Sequence, residues 1–189
     1  GVSSMRVNMG NIENKGIELT INATPVQLRD FSWQTTLTYT KNKNKVLKLS
    51  EGKSFVEDGK YLIEEGSPLG QWFGQKALGI YATDEANAYI KNSDGSFGDR
   101  LIPVYQRDPN NYNNYIYGSN GKPIFSHYET KGGQKYAGDV GQMTTAGSVS
   151  KGGDIIWDDL DHDGVIGDSD RRILGNGMPT WYMGWTNYL

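Results

Sequence analysis

Hydrophobic and polar residues alternate with a period of two in two neighbouring stretches near the start of the chain. Over residues 16–27, Ile17, Leu19, Ile21 and Ala23 share one face, and Glu18, Thr20, Asn22 and Thr24 share the other. Over residues 31–42, Phe31, Trp33, Thr35, Leu37 and Tyr39 alternate with Ser32, Gln34, Thr36, Thr38 and Thr40. Alternation of this kind, rich in β-branched and aromatic residues, marks strands. The short break Leu28-Arg29-Asp30 then predicts an antiparallel hairpin. Each run is about 10–12 residues long, against a common strand length of roughly 5–6 and the ~9–11 that cross a bilayer at a tilt. Phe31, Trp33 and Tyr39 lie near the strand ends, where an interfacial girdle would need them. The polar face of Thr, Gln, Ser and Asn suits a water-filled barrel lumen and a solvated sheet equally. The residues leave both readings open.

Periodicity fades after Lys41-Asn42-Lys43-Asn44-Lys45, a polar stretch that reads as a boundary. Residues 72–81 form a candidate strand whose rhythm Gly74 and Gly79 interrupt, and residues 85–91 (EANAYIK) predict two helical turns capped by Asp84. From Asn92 to Lys151 no period stands out, although the many tyrosines argue for order. A short strand is expected at residues 153–157. Alternation resumes near Thr180, with Trp181, Met183, Trp185 and Asn187 opposed to Tyr182, Gly184, Thr186 and Tyr188.

One motif carries strong chemistry. Asp159-Leu160-Asp161-His162-Asp163-Gly164-Val165-Ile166-Gly167-Asp168-Ser169-Asp170 matches the twelve-residue calcium loop. Asp159, Asp161 and Asp163 stand at positions 1, 3 and 5, Gly164 at the sharp turn, and Val165 where a backbone carbonyl ligates. Asp170 takes the twelfth position, usually a longer Glu, and Ile166 the buried aliphatic position. Carboxylates this dense repel one another unless a cation lies between them. No entering helix precedes the loop, so the expectation is a structural Ca2+ that staples a loop rather than a sensor. Zinc is disfavoured, since only His162 offers nitrogen, and magnesium suits such a flexible oxygen-rich loop less well.

Composition narrows the classes. The chain has 189 residues, no cysteine, two histidines and a net charge of −3. That excludes a disulfide framework, a thiolate zinc site and a cysteine nucleophile, and without a basic stripe no nucleic-acid partner is expected. No apolar run reaches the length of a membrane helix, which leaves a membrane-spanning barrel untouched. No signal peptide is visible, and both ends read as cut, so the chain is expected to be a fragment. Tyr105, Tyr112, Tyr115 and Tyr117 alternate with amides and are candidates for ligand or partner contact; a loop interface is the blander expectation. Ser126 beside His127 makes no triad, and His127 reads as a loop residue. Nothing points to an enzyme.

Taken in order, the motifs resemble one family. Asn8-Met9-Gly10-Asn11-Ile12-Glu13-Asn14-Lys15-Gly16-Ile17-Glu18-Leu19 looks like a stretch of TonB-dependent outer-membrane receptors. Residues 31–46 with their Lys43-Asn44-Lys45-Val46 end, Glu65-Gly66-Ser67-Pro68-Leu69-Gly70, Gly79-Ile80-Tyr81 and Gly153-Asp154 followed by the acidic loop resemble the SusC/RagA branch. So do Asp170-Arg171, Ile173, Gly175-Asn176 and Pro179. The resemblance implies an all-β chain: an antiparallel transmembrane β-barrel segment in the outer membrane, with long extracellular loops, one of them holding the calcium-type turn. It implies import of glycans or peptides in Bacteroidetes, a SusD-like surface lipoprotein as partner, and TonB engaged through parts of the receptor outside this chain. Residues 1–42 are then barrel hairpin strands, 43–152 a mainly extracellular loop region with room for extra strands, 153–177 the calcium-loop segment, and 178–189 the start of the next barrel strand. Parity allows zero or two membrane crossings inside the long insertion. The competing expectation is a secreted, calcium-stabilised β-rich module that binds carbohydrate or protein.

Overall fold

The computed structural model describes residues 10–189. Among these residues every regular element is a strand or one of two 3-10 turns, Asp84–Ala86 and Asp168–Asp170. In chain order the strands are β1 (Gly10–Gln27), β2 (Ser32–Leu49), β3 (Phe55–Glu57), β4 (Tyr61–Ile63), β5 (Gln71–Gln75), β6 (Ala77–Ile80), β7 (Tyr89–Lys91) and β8 (Phe97–Arg100). There follow β9 (Ile102–Tyr105), β10 (Arg107–Asp108), β11 (Asn111–Tyr115), β12 (Phe125–Glu129), β13 (Lys135–Tyr136), β14 (Val140–Gly141), β15 (Thr144–Thr145) and β16 (Ser148–Val149). The last are β17 (Ile155–Trp157), β18 (Val165–Ile166), β19 (Arg171–Asn176) and β20 (Trp181–Tyr188). The described residues form two compact units, 10–74 with 173–189, and 75–172. The Asn8-Met9 start of the resemblance lies outside the described residues.

In the first unit β1, β2 and β20 make an antiparallel sheet with β2 in the centre. The hairpin closes where the Leu28 N–H donates to the Phe31 carbonyl at 2.7 Å. Register sets directly paired residues on the same face. Ile17 pairs with Lys41 and Lys41 with Trp181; Leu19, Tyr39 and Met183 form the next row, then Ile21, Leu37 and Trp185. The other face carries Glu18, Thr40 and Tyr182, then Thr20, Thr38 and Gly184, then Asn22, Thr36 and Thr186. The alternation read from the sequence therefore sorts three strands into one apolar and one polar face. Ile17 and Trp185 remain 69% exposed, so no second layer covers the apolar face among the described residues.

The hairpin runs further than its periodicity suggested. Both β1 and β2 have 18 residues, and residues 41–45, expected as a boundary, continue β2 to Leu49. Polar residues can extend a ribbon whose backbone is fully paired, which a hydropathy pattern cannot register. The pairs Asn11 with Lys48 and Ile12 with Val46 skip Leu47. This bulge restores the phase, so that Val46 and Leu49 both turn inward and pack with Ile63 and Leu69. A four-stranded sheet of order β19-β5-β4-β3 completes the unit.

The second unit holds the segment that lacked a period. Its strands have only two to five residues and pair as small sheets: β13-β12-β9, β14-β7-β8, β16-β15-β18, β17-β6 and β10-β11. The strand expected over residues 72–81 is split into β5 and β6, which belong to different sheets. The two helical turns expected over residues 85–91 are not formed. A 3-10 turn at Asp84–Ala86 is followed at once by β7, and Asp84 is no cap: its carboxylate accepts the Gly152 N–H at 2.9 Å. Tertiary demand overrides local propensity there, because Tyr89 is needed in the core with Tyr81, Phe97, Met143 and Ile156. His127, expected in a loop, lies in β12.

Candidate functional site: an acidic loop

The acidic loop belongs to the second unit and is built by its own backbone. Gly164 holds φ at +79°, a conformation that favours glycine, and the Phe97 ring fills the space a Cβ would take. His162, also left-handed at φ +60°, offers its carbonyl to the Phe97 N–H at 2.8 Å, and the residue is exposed. Ile166 is 6% exposed, the buried anchor expected at its position. The loop is thus fastened to β8 and the aromatic core of its unit.

Asp159, Asp161 and Asp170 bring one carboxylate oxygen each to within 4.8 Å of one another. Asp170 is fully buried, and its two oxygens accept the N–H groups of Leu160 at 2.8 Å and Gly167 at 2.7 Å. It clamps the start of the loop to its end, and an ion pair between Arg172 and Asp158 joins the two stems just outside. Asp159 Oδ2 accepts the Gly164 N–H at 3.0 Å, whereas its Oδ1 is buried with no hydrogen-bond partner. An orphaned buried carboxylate oxygen facing two further carboxylates is unfavourable without a cation. Burial foremost, then the negative charges around it, raise the Asp159 pKa above the usual carboxylate value, the Gly164 N–H opposing. Asp161 is held below its usual value, mainly by the Ser169 hydroxyl.

Asp163 is not among the three clustered carboxylates. Asp163 is exposed and accepts the Val165 N–H at 2.7 Å, an Asx-type turn that shapes the loop. Val165 sits in β18, paired in parallel with Thr144. The donor set is all oxygen, with no sulfur and no nitrogen turned inward, which fits a hard divalent cation.

The tyrosines form a second cluster in the same unit. Tyr105 is half-buried, its hydroxyl shared with Thr83 at 2.6 Å and Glu85 at 3.2 Å, and its ring meets Tyr115 and Phe125 edge-on. Arg107 lies over the Tyr115 ring at 3.8 Å and bonds its hydroxyl. Tyr112 and Tyr117 are 78% and 60% exposed. Tyr105 and Tyr115 thus support the loop, while Tyr112 and Tyr117 are available for contact. Sequence reasoning missed Asn87. Fully buried, it donates to the carbonyls of Met143 at 2.9 Å and Ser150 at 2.7 Å and accepts the Met143 N–H at 2.8 Å.

No protein-family model matches the chain. The TonB-dependent receptor P39 of Formosa agariphila is 37% identical over 188 residues, 99% of this chain. The chain belongs to the SusC-like TonB-dependent receptors. It is 26% identical, over its whole length, to the TonB-dependent receptor P3 of the same organism, and 28% identical over 69% of its length to the TonB-dependent receptor SusC of Bacteroides thetaiotaomicron. It spans 16% of the length of P39, 14% of P3 and 11% of SusC.

Proposed function

We propose that this segment is part of the barrel wall of an outer-membrane importer, together with one long extracellular loop that calcium braces. The observation that carries the reading is the sorting of β1, β2 and β20 into an apolar and a polar face, with neither covered along the central rows. Apolar rows from Ile17 to Val26 extend ~30 Å along the strand, and at a tilt of ~40° they span about the height of a barrel's lipid-facing band. Tyr39 stacked with Trp181 at one end, and Trp33, paired with Val26, at the other supply girdle residues. The Thr- and Asn-rich face suits the lumen. A secreted sandwich would need that apolar face packed beneath a second sheet.

In this reading the tight turn at residues 28–31 faces the periplasm and β2 runs outward. Because β20 returns beside β2, residues 50–180 insert between adjacent strands without crossing the membrane. Calcium at Asp159, Asp161 and Asp170, with Asp163 and the Val165 carbonyl completing its shell, would hold that insertion rigid where the ion is plentiful. The whole receptor would import a glycan or a peptide, take energy from TonB through its other parts, and work with a SusD-like lipoprotein. Tyr112 and Tyr117 are the proposed contacts for substrate or partner.

A cysteine pair tests the wall. In the full-length receptor Thr38→Cys with Gly184→Cys should form a disulfide while the protein still fractionates with the outer membrane. A full-length receptor that stays monodisperse without detergent would defeat the reading. Deleting the receptor should abolish uptake of its glycan or peptide, and deleting the neighbouring lipoprotein should impair it.

A further inference from the structure

The four-stranded sheet of the first unit carries a small aromatic cavity on one face. Glu57 pairs with Tyr61 and Tyr61 with Trp72, which puts the three in a single row across β3, β4 and β5. Directly paired residues share a face, so the three side chains rise together. Ile63, two residues along β4, lies on the same face and is buried in a cluster with Val46 and Leu49. The Tyr61 and Trp72 rings meet with centroids 4.7 Å apart and planes tilted by 44°. They make a corner, not a flat platform.

Two loops close the other side of the corner. They are tied together: the Gly177 N–H donates to the Gly70 carbonyl at 3.0 Å, and the Asn176 side chain donates to the Leu69 carbonyl at 2.9 Å. A Cβ at Gly177 would lie 2.7 Å from Trp72 Nε1, so the glycine is what lets this loop close down on the indole. The cavity has a volume of about 350 Å³, at the small end of ligand sites. Its lining is Glu57, Tyr61, Ile63 and Trp72 from the sheet, with Leu69-Gly70 and Gly177-Met178 from the loops. Glu57 is the one charged residue of that lining. It is exposed, and among the described residues no ion pair engages it.

We propose that this corner binds a small organic cation, an ammonium group clothed in methyl or methylene carbons. Trp and Tyr rings attract a cation that lies within about 6 Å of their centres. Glu57 supplies the complementary charge, and Ile63, Leu69 and Met178 take the carbons around the nitrogen. Other occupants fit less well. An anion would meet a carboxylate, and a bare metal ion would find one carboxylate where it needs several oxygens. A sugar would want a flat ring beneath it and several polar partners for its hydroxyls, and this lining is mostly apolar. The site lies within the first unit and depends neither on the barrel reading nor on calcium.

The probes are choline and its uncharged isostere, in which carbon replaces the nitrogen. Each is offered to the full-length receptor in detergent and followed by saturation-transfer NMR of the ligand. The wild type should bind choline about fivefold or more tightly than the isostere. Glu57→Gln should bring choline down towards the isostere while leaving the isostere unchanged, and Trp72→Leu should weaken both. Glu51→Gln, which removes an exposed carboxylate outside the cavity, should change neither. Because Glu57 is exposed, its variant keeps the fold even where Trp72→Leu disturbs the sheet. No binding of choline, equal binding of the two probes by the wild type, or a preference that survives Glu57→Gln would overturn the proposal.

Discussion

Asn87 ties its own segment to the two ends of the β15–β16 hairpin. Its side chain satisfies both polar groups of Met143 and the carbonyl of Ser150 in a fully buried position. Asn87→Ala leaves the Met143 N–H and the Ser150 carbonyl unpaired, at ~1–3 kcal/mol for each, while the Met143 carbonyl keeps the Ser150 N–H. Hydrogen exchange in the full-length receptor should therefore show lost protection across residues 140–150. Gly164→Ala should cost about 1–3 kcal/mol in local stability from the left-handed backbone alone, with more from the Phe97 contact, and calcium should only partly restore it. Asp159 sets the pH dependence. Its pKa stands above the usual carboxylate value, so without metal its protonated form is favoured by the fold. That contribution is full below the unfolded pKa of ~3.9 and is lost as pH rises through the folded one. Calcium requires the ionised form, so its affinity should tighten as pH rises through the same window, and calorimetry on the full-length receptor at several pH values would measure it. Asp159→Asn should remove that slope together with most of the binding.

At the scale of elements, each face of the hairpin should answer differently to charge. Leu19→Arg, in the proposed lipid-facing rows, should destabilise the barrel by ~2–4 kcal/mol, whereas Thr20→Arg, next to it on the polar face, should be tolerated. Equal effects in a folding titration would contradict the assignment of faces. The hairpin was legible in the sequence because its partners are neighbours in the chain and its period is two. The acidic loop was legible because its ligating residues are consecutive. The sheets of the second unit were not. Tyr89 pairs with Gly141, and Thr144 pairs in parallel with Val165, so two-residue strands are fixed by partners far along the chain and leave no local period. The EANAYIK stretch failed as a helix for the same reason, since Asn87 and Tyr89 are both claimed by the core. The extension of β2 through its lysines was hidden because polarity there reads as a loop. If calcium braces the insertion, chelation should lower hydrogen-exchange protection over residues 153–175, and readdition should restore it.

At the scale of the whole molecule, the pairing of β2 with β20 changes what the chain length means. Two strands adjacent in one sheet are separated by well over a hundred residues, so most of the chain is an elaboration between neighbouring strands. The sequence allowed zero or two crossings inside it; the adjacency of β2 and β20 supports zero. The central claim is that the three-stranded sheet is membrane wall with one face to lipid and one to water. Nitroxide labels placed singly along residues 17–23 and 181–187 of the full-length receptor, in reconstituted bilayers, test it most directly. Accessibility to oxygen and to a water-soluble nickel chelate should alternate in antiphase with period two, with oxygen favoured at Ile17, Leu19, Ile21, Met183 and Trp185 and the chelate at Glu18, Thr20, Asn22 and Thr186. Uniform access of the chelate to both faces would contradict the account.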